Sequence, residues 1–227
     1  MTAADSPSEA SFALQRDRMV TEQIAARGVR DPRVLAAMRR VPREAFLPAD
    51  KRAFAYDDAP VPIAAGQTMS QPYIVALMAE ALGLTGGERV LEIGTGSGYA
   101  AAVLAELAAE VFSVERIDTL ADAAAAVLGR LGIRNLHLRC GDGTLGWREH
   151  APFAAIVVAA GGPQVPASLK RQLIIGGRLV MPVGPSDDMQ RLVRVTRQGE
   201  ADFYEETLAE VRFVPLLGAE GFGQPPR

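Results

Sequence analysis

The stretch Val90-Leu-Glu-Ile-Gly-Thr-Gly-Ser-Gly-Tyr99 decides the fold. A short apolar run gives way to glycine at alternate positions, Gly94, Gly96 and Gly98, and then to an alanine-rich run. That order reads as strand, tight turn and helix. Missing side chains in such a turn let a ligand approach the backbone, and the free N–H groups of the helix that follows face it.

Outward from that turn the pattern repeats. Short apolar runs predict strands at Arg89–Ile93, Glu110–Glu115, Leu136–Cys140, Ala154–Ala159 and Gly177–Pro182. Helical stretches fall around 98–108, 118–131 and 143–150, and another at Pro166–Ile174. Such alternation predicts a parallel sheet covered on both faces. Two further strands, Arg191–Thr196 and Glu210–Pro215, are expected to complete one edge. Upstream, 13–27 reads as a helix with Leu14, Met19 and Ile24 inward. Asp31-Pro32 starts a second helix that stops before Pro42, and Pro72–Leu82 is a third. Residues 42–69 lack a period and read as a long ordered loop, which suggests a functional segment. The expected fold class is a doubly wound α/β sandwich, seven-stranded and mostly parallel, with an N-terminal helical extension. Residues 1–12 are expected to be a disordered N-terminus and 222–227 a tail. A single domain is expected over 13–221, with helices and a substrate-side loop in 13–82 and a cofactor-binding sheet in 83–221.

The 227 residues are 48% apolar, enough for a full core, and the formal net charge is −3. That balance argues against nucleic acid as a partner. One cysteine cannot form a disulfide within the chain, and Cys140 ends an apolar run, where burial is expected. With only two histidines, no metal site is expected. The N-terminal segment has no apolar core of a signal peptide, and no stretch approaches the roughly 18 residues of a membrane span. A cytoplasmic monomer, free of membranes, is the expectation.

A dinucleotide reader wants G-x-G-x-x-G, whereas the glycines here are spaced G-x-G-x-G with Glu92 just before them. An acidic side chain there would repel a pyrophosphate and suit an ammonium group. S-adenosylmethionine carries one, and it is the expected cofactor. Thr95 and Ser97 fall between the glycines. Glu115, with Arg116 beside it, ends the second strand, where a carboxylate suits a ribose diol. Asp142 and Gly143 follow the third strand, where Asp142 suits either a turn or the adenine.

The order E-x-G-x-G-x-G, acidic strand end, GDG resembles the class I methyltransferases. The segment "GQTMSQPYIVALM", Gly66–Met78, resembles the one that marks the protein-L-isoaspartate O-methyltransferases. "GDGTLGW", "APF", "QLIIGGRLVMPVG" and "VRFVPLLG" stand in that family's order, from about Met19 to Gly221. The resemblance implies methyl transfer to the free α-carboxylate of isoaspartyl residues in damaged proteins and peptides, which begins their repair. It implies that Ser70 is the functional serine, with Thr68, Met69 and Gln71 beside it on the substrate side. It places Gly94, Gly96, Ser97, Glu115, Asp142 and Gly143 against the cofactor, and Val214, Pro215 and Leu216 at the peptide site. Ser70 also stands where a helix cap would, and the two roles are compatible. Three departures stand out: Ala154 where the family has Asp, Ala64-Ala65 where one residue is usually glycine, and Met69 for isoleucine. They leave open a related O-methyltransferase with a different carboxylate acceptor.

Overall fold

A computed structural model describes residues 9–223. A seven-stranded sheet forms its centre. β1 (Val61–Pro62) and β2 (Thr68–Met69) make a separate small hairpin. The sheet itself consists of β3 (Arg89–Ile93), β4 (Glu110–Glu115), β5 (Leu136–Cys140), β6 (Phe153–Val158), β7 (Leu173–Val183), β8 (Gln190–Arg197) and β9 (Phe203–Val211). Their order is β5-β4-β3-β6-β7-β8-β9. The first five run parallel, and β8 and β9 are antiparallel additions at one edge. The chain leaves β3 toward β5 and returns to the other side of β3 as β6, so the strand order reverses between β3 and β6. Ligands bind at the carboxyl ends of strands beside such a reversal.

At the centre of the sheet both faces are buried, which is why β3, β4 and β6 read as largely apolar runs. Side chains alternate between two clusters. Val90, Val111, Ala155, Val157, Val180 and Leu192 join the larger one. Leu91, Phe112, Ile156, Val158, Leu179 and Val193 join the other. The larger cluster also takes in the N-terminal elements α1 (Glu9–Arg18), α2 (Pro32–Arg40) and α3 (Pro72–Leu82). The remaining helices are α4 (Tyr99–Ala105), α5 (Asp118–Arg130) and α6 (Ala167–Arg171). Asp31 caps α2 by accepting from the Arg33 N–H at 2.8 Å, with Pro32 in the first turn, as its sequence signature predicts.

Several expectations need correction. The N-terminal helix starts at Glu9, so residues 9–12 belong to it; residues 1–8 lie outside the described residues. Beyond Arg18 it widens into a π-helical turn, Met19–Ile24, and tightens into a 3-10 turn, Ala25–Arg27. The wide turn rotates the buried face: Phe12, Met19, Val20 and Ile24 point inward, while Leu14 is 70% exposed. The 143–150 helix is instead two 3-10 turns. α6 ends at Arg171, because Leu173-Ile174-Ile175, two of them β-branched, opens β7. The last strand is Phe203–Val211, not Glu210–Pro215. It lies at the edge and reads as polar, and the apolar run after it crosses the strand ends. In the tail, Phe222 is bonded to the Leu216 carbonyl at 2.7 Å, and residues 224–227 lie outside the described residues. Cys140, expected inside, is exposed on the edge strand β5. The 42–69 loop is built of 3-10 turns and the β1–β2 hairpin, and it buries Arg43, Phe46, Leu47, Tyr56 and Met69.

Candidate active site

A cleft open to solvent lies at the carboxyl ends of β3, β4 and β6. Its floor is the glycine turn. Gly94 and Gly96 adopt φ of +91° and +54°, in the left-handed region that favours glycine. A Cβ on Gly96 would meet only Ile63, at 3.7 Å, and would otherwise stand in open space. Gly94, Thr95, Gly96 and Ser97 all line the cleft.

Glu115 forms a second wall. One of its oxygens accepts from Gly96 N at 2.9 Å, and the other accepts from the N–H groups of Arg116 and Ile117 at 2.8 and 2.9 Å. Three backbone donors fix this carboxylate at the edge of the cleft, with lone pairs left for a polyol. Arg116 and Gly143 complete that side. On the opposite wall stand Thr68, Met69 and Ser70, and Val214, Pro215 and Leu216 close the third. The last three belong to an extended strap held to Gly161, whose N–H donates to Val214 O at 2.8 Å and whose carbonyl accepts from Leu216 N at 2.7 Å.

Ser70 does not cap α3; the capping position is Gln71, and its side chain forms no cap bond. Ser70 lines the cleft, and among the described residues its hydroxyl makes no hydrogen bond, while its carbonyl accepts from Arg43. A free hydroxyl on a partly apolar wall is a donor awaiting an acceptor.

Four expected residues stand off the cleft. Glu92 is fully buried behind it, bonded to Ser113, which meets Thr95 Oγ1 at 2.5 Å. Burial pushes its carboxyl up to about 8, with the Ser113 hydrogen bond opposing and Glu115 adding to the rise. It is therefore neutral at pH 7, not the free charge expected beside an ammonium group. Gly98 packs against α5: its Cβ would meet Ala124 and Leu128 at 3.3 Å. Asp142 uses one oxygen on Thr144 and the other on Ala219 N at 2.8 Å, so it ties the C-terminal strap to the turn after β5. Gln71 donates to Asp58, away from the cleft.

Of Tyr73 and Tyr99, either of which the sequence offers as a wall of the site or as packing, only Tyr99 lines the cleft. The structure also adds Ile117, Ala159 and Ala160 to the lining. The alanines follow β6, so their place past a strand end could have been read once the reversal point was known. Buried Arg43 and Gln190, which hold Ser70 and the strap from behind, carry no motif. Ala154 lies near the start of β6, at the register shift between Phe153 and Ala155. The five residues to Ala159 put it about 16 Å from the cleft end of the strand, so this departure does not touch the acceptor side.

The donor set fits an adenosyl ligand: bare backbone at Gly94–Gly96, a fixed carboxylate at Glu115, and mixed apolar and polar walls. Comparison with known proteins points the same way. The profile of the family described as "Protein-L-isoaspartate(D-aspartate) O-methyltransferase (PCMT)" matches residues 14–221. A Rhodopseudomonas palustris protein named protein-L-isoaspartate O-methyltransferase is 70% identical over 207 residues, 91% of this chain and 95% of the relative. A solved structure of that name superposes with a TM-score of 0.80 at 32% identity, over 91% of this chain and 67% of the other. Another, from Plasmodium falciparum and in complex with S-adenosyl-L-homocysteine, gives 0.76 at 25% identity, over 89% of this chain and 98% of the other.

Proposed function

The chain belongs to the protein-L-isoaspartate(D-aspartate) O-methyltransferase family, and from that membership we propose how its residues perform the reaction. The enzyme transfers a methyl group from S-adenosylmethionine to the free α-carboxylate of an L-isoaspartyl residue. The ester then closes to a succinimide without the enzyme, and hydrolysis of the ring returns some normal aspartate.

When bound, S-adenosylmethionine supplies an electrophilic methyl on a sulfonium. Gly94, Thr95, Gly96 and Ser97 would offer it close backbone approach, Glu115 would hold the ribose, and Arg116 and Gly143 would border the adenosine. The acceptor, a carboxylate with an ordinary pKa near 4, is already ionised at neutral pH and needs no base. Consistent with this, neither histidine nor lysine lines the cleft. What remains for the protein is orientation, which lowers a barrier by up to roughly 7–11 kcal/mol, and exclusion of water. Opposite charges cancel as the methyl moves, so the apolar walls at Val75, Ile93, Val214 and Leu216 favour transfer. Ser70 donates its hydroxyl to the acceptor carboxylate. The observation that carries this reading is the unbonded Ser70 hydroxyl sharing one cleft with the bare backbone of Gly94–Gly96.

The same reading makes the protein a cytoplasmic monomer acting on peptides. Supporting it, no helix among the described residues is long and apolar enough to cross a membrane. Both sheet edges carry charge, with Glu205, Glu206 and Glu210 on β9 and Arg139 on β5, which opposes strand-to-strand association. A different carboxylate acceptor has less support, since Ala154 is remote from the cleft.

Radiolabelled methyl transfer to an isoaspartyl peptide, with its aspartyl twin as control, tests the assignment. Only the isoaspartyl form should be labelled. Ser70→Ala should lower kcat about 10–100-fold, the worth of one hydrogen bond to a charged group, with the affinity for S-adenosylhomocysteine within twofold. Equal labelling of the twin would overturn the acceptor, and full activity of Ser70→Ala would overturn the role of the serine.

A further inference from the structure

Behind Ser70 lies a charge that the reaction as described does not use. Arg43 is 0% exposed. Its Nε donates to the Ala55 carbonyl and its Nη2 to the Ser70 carbonyl, both at 2.7 Å. The guanidinium carbon lies 4.7 Å from the centroid of the Tyr99 ring, and Nη1 has no hydrogen-bond partner. Among the described residues no carboxylate forms an ion pair with it, and burial pulls its pKa below the ordinary value, with Tyr99 opposing. Even so, a guanidinium stays charged.

A buried charge without a counter-charge costs several kcal/mol. Methionine or leucine would fill the same volume without that cost, but neither can bind two carbonyls in one plane. The three groups the guanidinium joins come from different parts of the site. Ala55 belongs to the substrate-side loop, Ser70 carries the free hydroxyl, and Tyr99 opens the helix after the glycine turn and lines the cleft. An acceptor carboxylate held by the Ser70 hydroxyl stands one hydrogen bond and the serine main chain away from this fixed positive charge.

We propose that Arg43 is a positioning residue for methyl transfer: its planar fork sets the Ser70 main chain against the start of α4, and its charge faces the docked carboxylate. The inference rests on the reading of Ser70 given above. Arg43→Lys keeps the charge and loses the fork; Arg43→Gln loses the charge. For each, kcat and KM for the isoaspartyl peptide are measured. Calorimetry gives the Kd for S-adenosylhomocysteine and the Kd of the peptide for enzyme saturated with it. Arg43→Lys should lower kcat tenfold or more, with peptide KM and S-adenosylhomocysteine affinity within about twofold of wild type. Arg43→Gln should in addition weaken peptide binding tenfold or more in both KM and ternary Kd. A folded Arg43→Lys protein with wild-type kcat overturns the inference, as does a loss of S-adenosylhomocysteine affinity in step with kcat, which marks a general structural role. If the Gln variant does not fold, the Lys variant decides alone. Wild-type enzyme that leaves the isoaspartyl peptide unlabelled overturns the reading of Ser70 and this inference with it, whereas labelled wild type with an unaffected Lys variant overturns this inference only.

Discussion

Ala65 holds φ +54° and ψ +30° at the tip of the β1–β2 hairpin, the only described non-glycine residue with positive φ. A left-handed conformation costs an L-residue roughly 1–2 kcal/mol, which accounts for the glycine usual at this pair in the family. Ala65→Gly removes that strain and gives back about 0.4–1 kcal/mol through the freer unfolded chain. The midpoint of thermal unfolding should therefore rise by about 1–3 °C in a domain of this size; scanning calorimetry would show it. Glu92 makes a second prediction at this scale. Its carboxyl titrates near 4.5 when unfolded and near 8 in the folded protein. The stability it contributes is full below 4.5 and is lost as pH rises through 8. Glu92→Gln does not titrate, so its stability relative to wild type should improve steadily from pH 4.5 to pH 9. A difference independent of pH would show that Glu92 is not held neutral.

Between elements, one amide holds the strap to the sheet. Gln190, the first residue of β8 and 1% exposed, accepts from Phe213 N at 2.9 Å and donates to Phe213 O at 3.3 Å and to Pro185 O at 3.0 Å. The strap it anchors supplies Val214, Pro215, Leu216 and Leu217 to the cleft. Removing the amide strips the half-buried Phe213 backbone of its partners, at up to about 1–3 kcal/mol for each group left unsatisfied. Gln190→Ala should raise amide exchange across 213–217 and raise the peptide KM several-fold, with a smaller effect on S-adenosylhomocysteine affinity. Unchanged exchange in that segment would place its anchor elsewhere, at Asp142 and Ala219 or at Gly161.

Only the folded molecule assembles the cleft from its three segments: Ser70 comes from just before α3, the glycines from the turn after the first strand of the large sheet, and the strap from the C-terminal end. Cofactor binding and global folding are therefore linked. S-adenosylhomocysteine at 100 times its Kd should add about 2.7 kcal/mol, which raises the unfolding midpoint by about 5–10 °C. A midpoint that does not move with added ligand would mean that the cleft does not hold it.

Local pattern alone determined the sheet and its floor. Apolar runs marked β3 to β7, and the glycine triplet fell at the turn that floors the cleft. Those signals are legible because strand period and turn chemistry depend on neighbours in sequence. Tertiary structure alone decided which side chains face the cleft. Glu92, Gly98, Asp142 and Gln71 sit next to cleft residues in sequence yet point into the core, a helix, the strap and a surface carboxylate. Arg43 and Gln190 belong to the site's support through backbone carbonyls and amides 27 and 23 residues away. No side-chain pattern encodes a contact to a distant main chain, because its partners exist only once the sheet has brought those segments together.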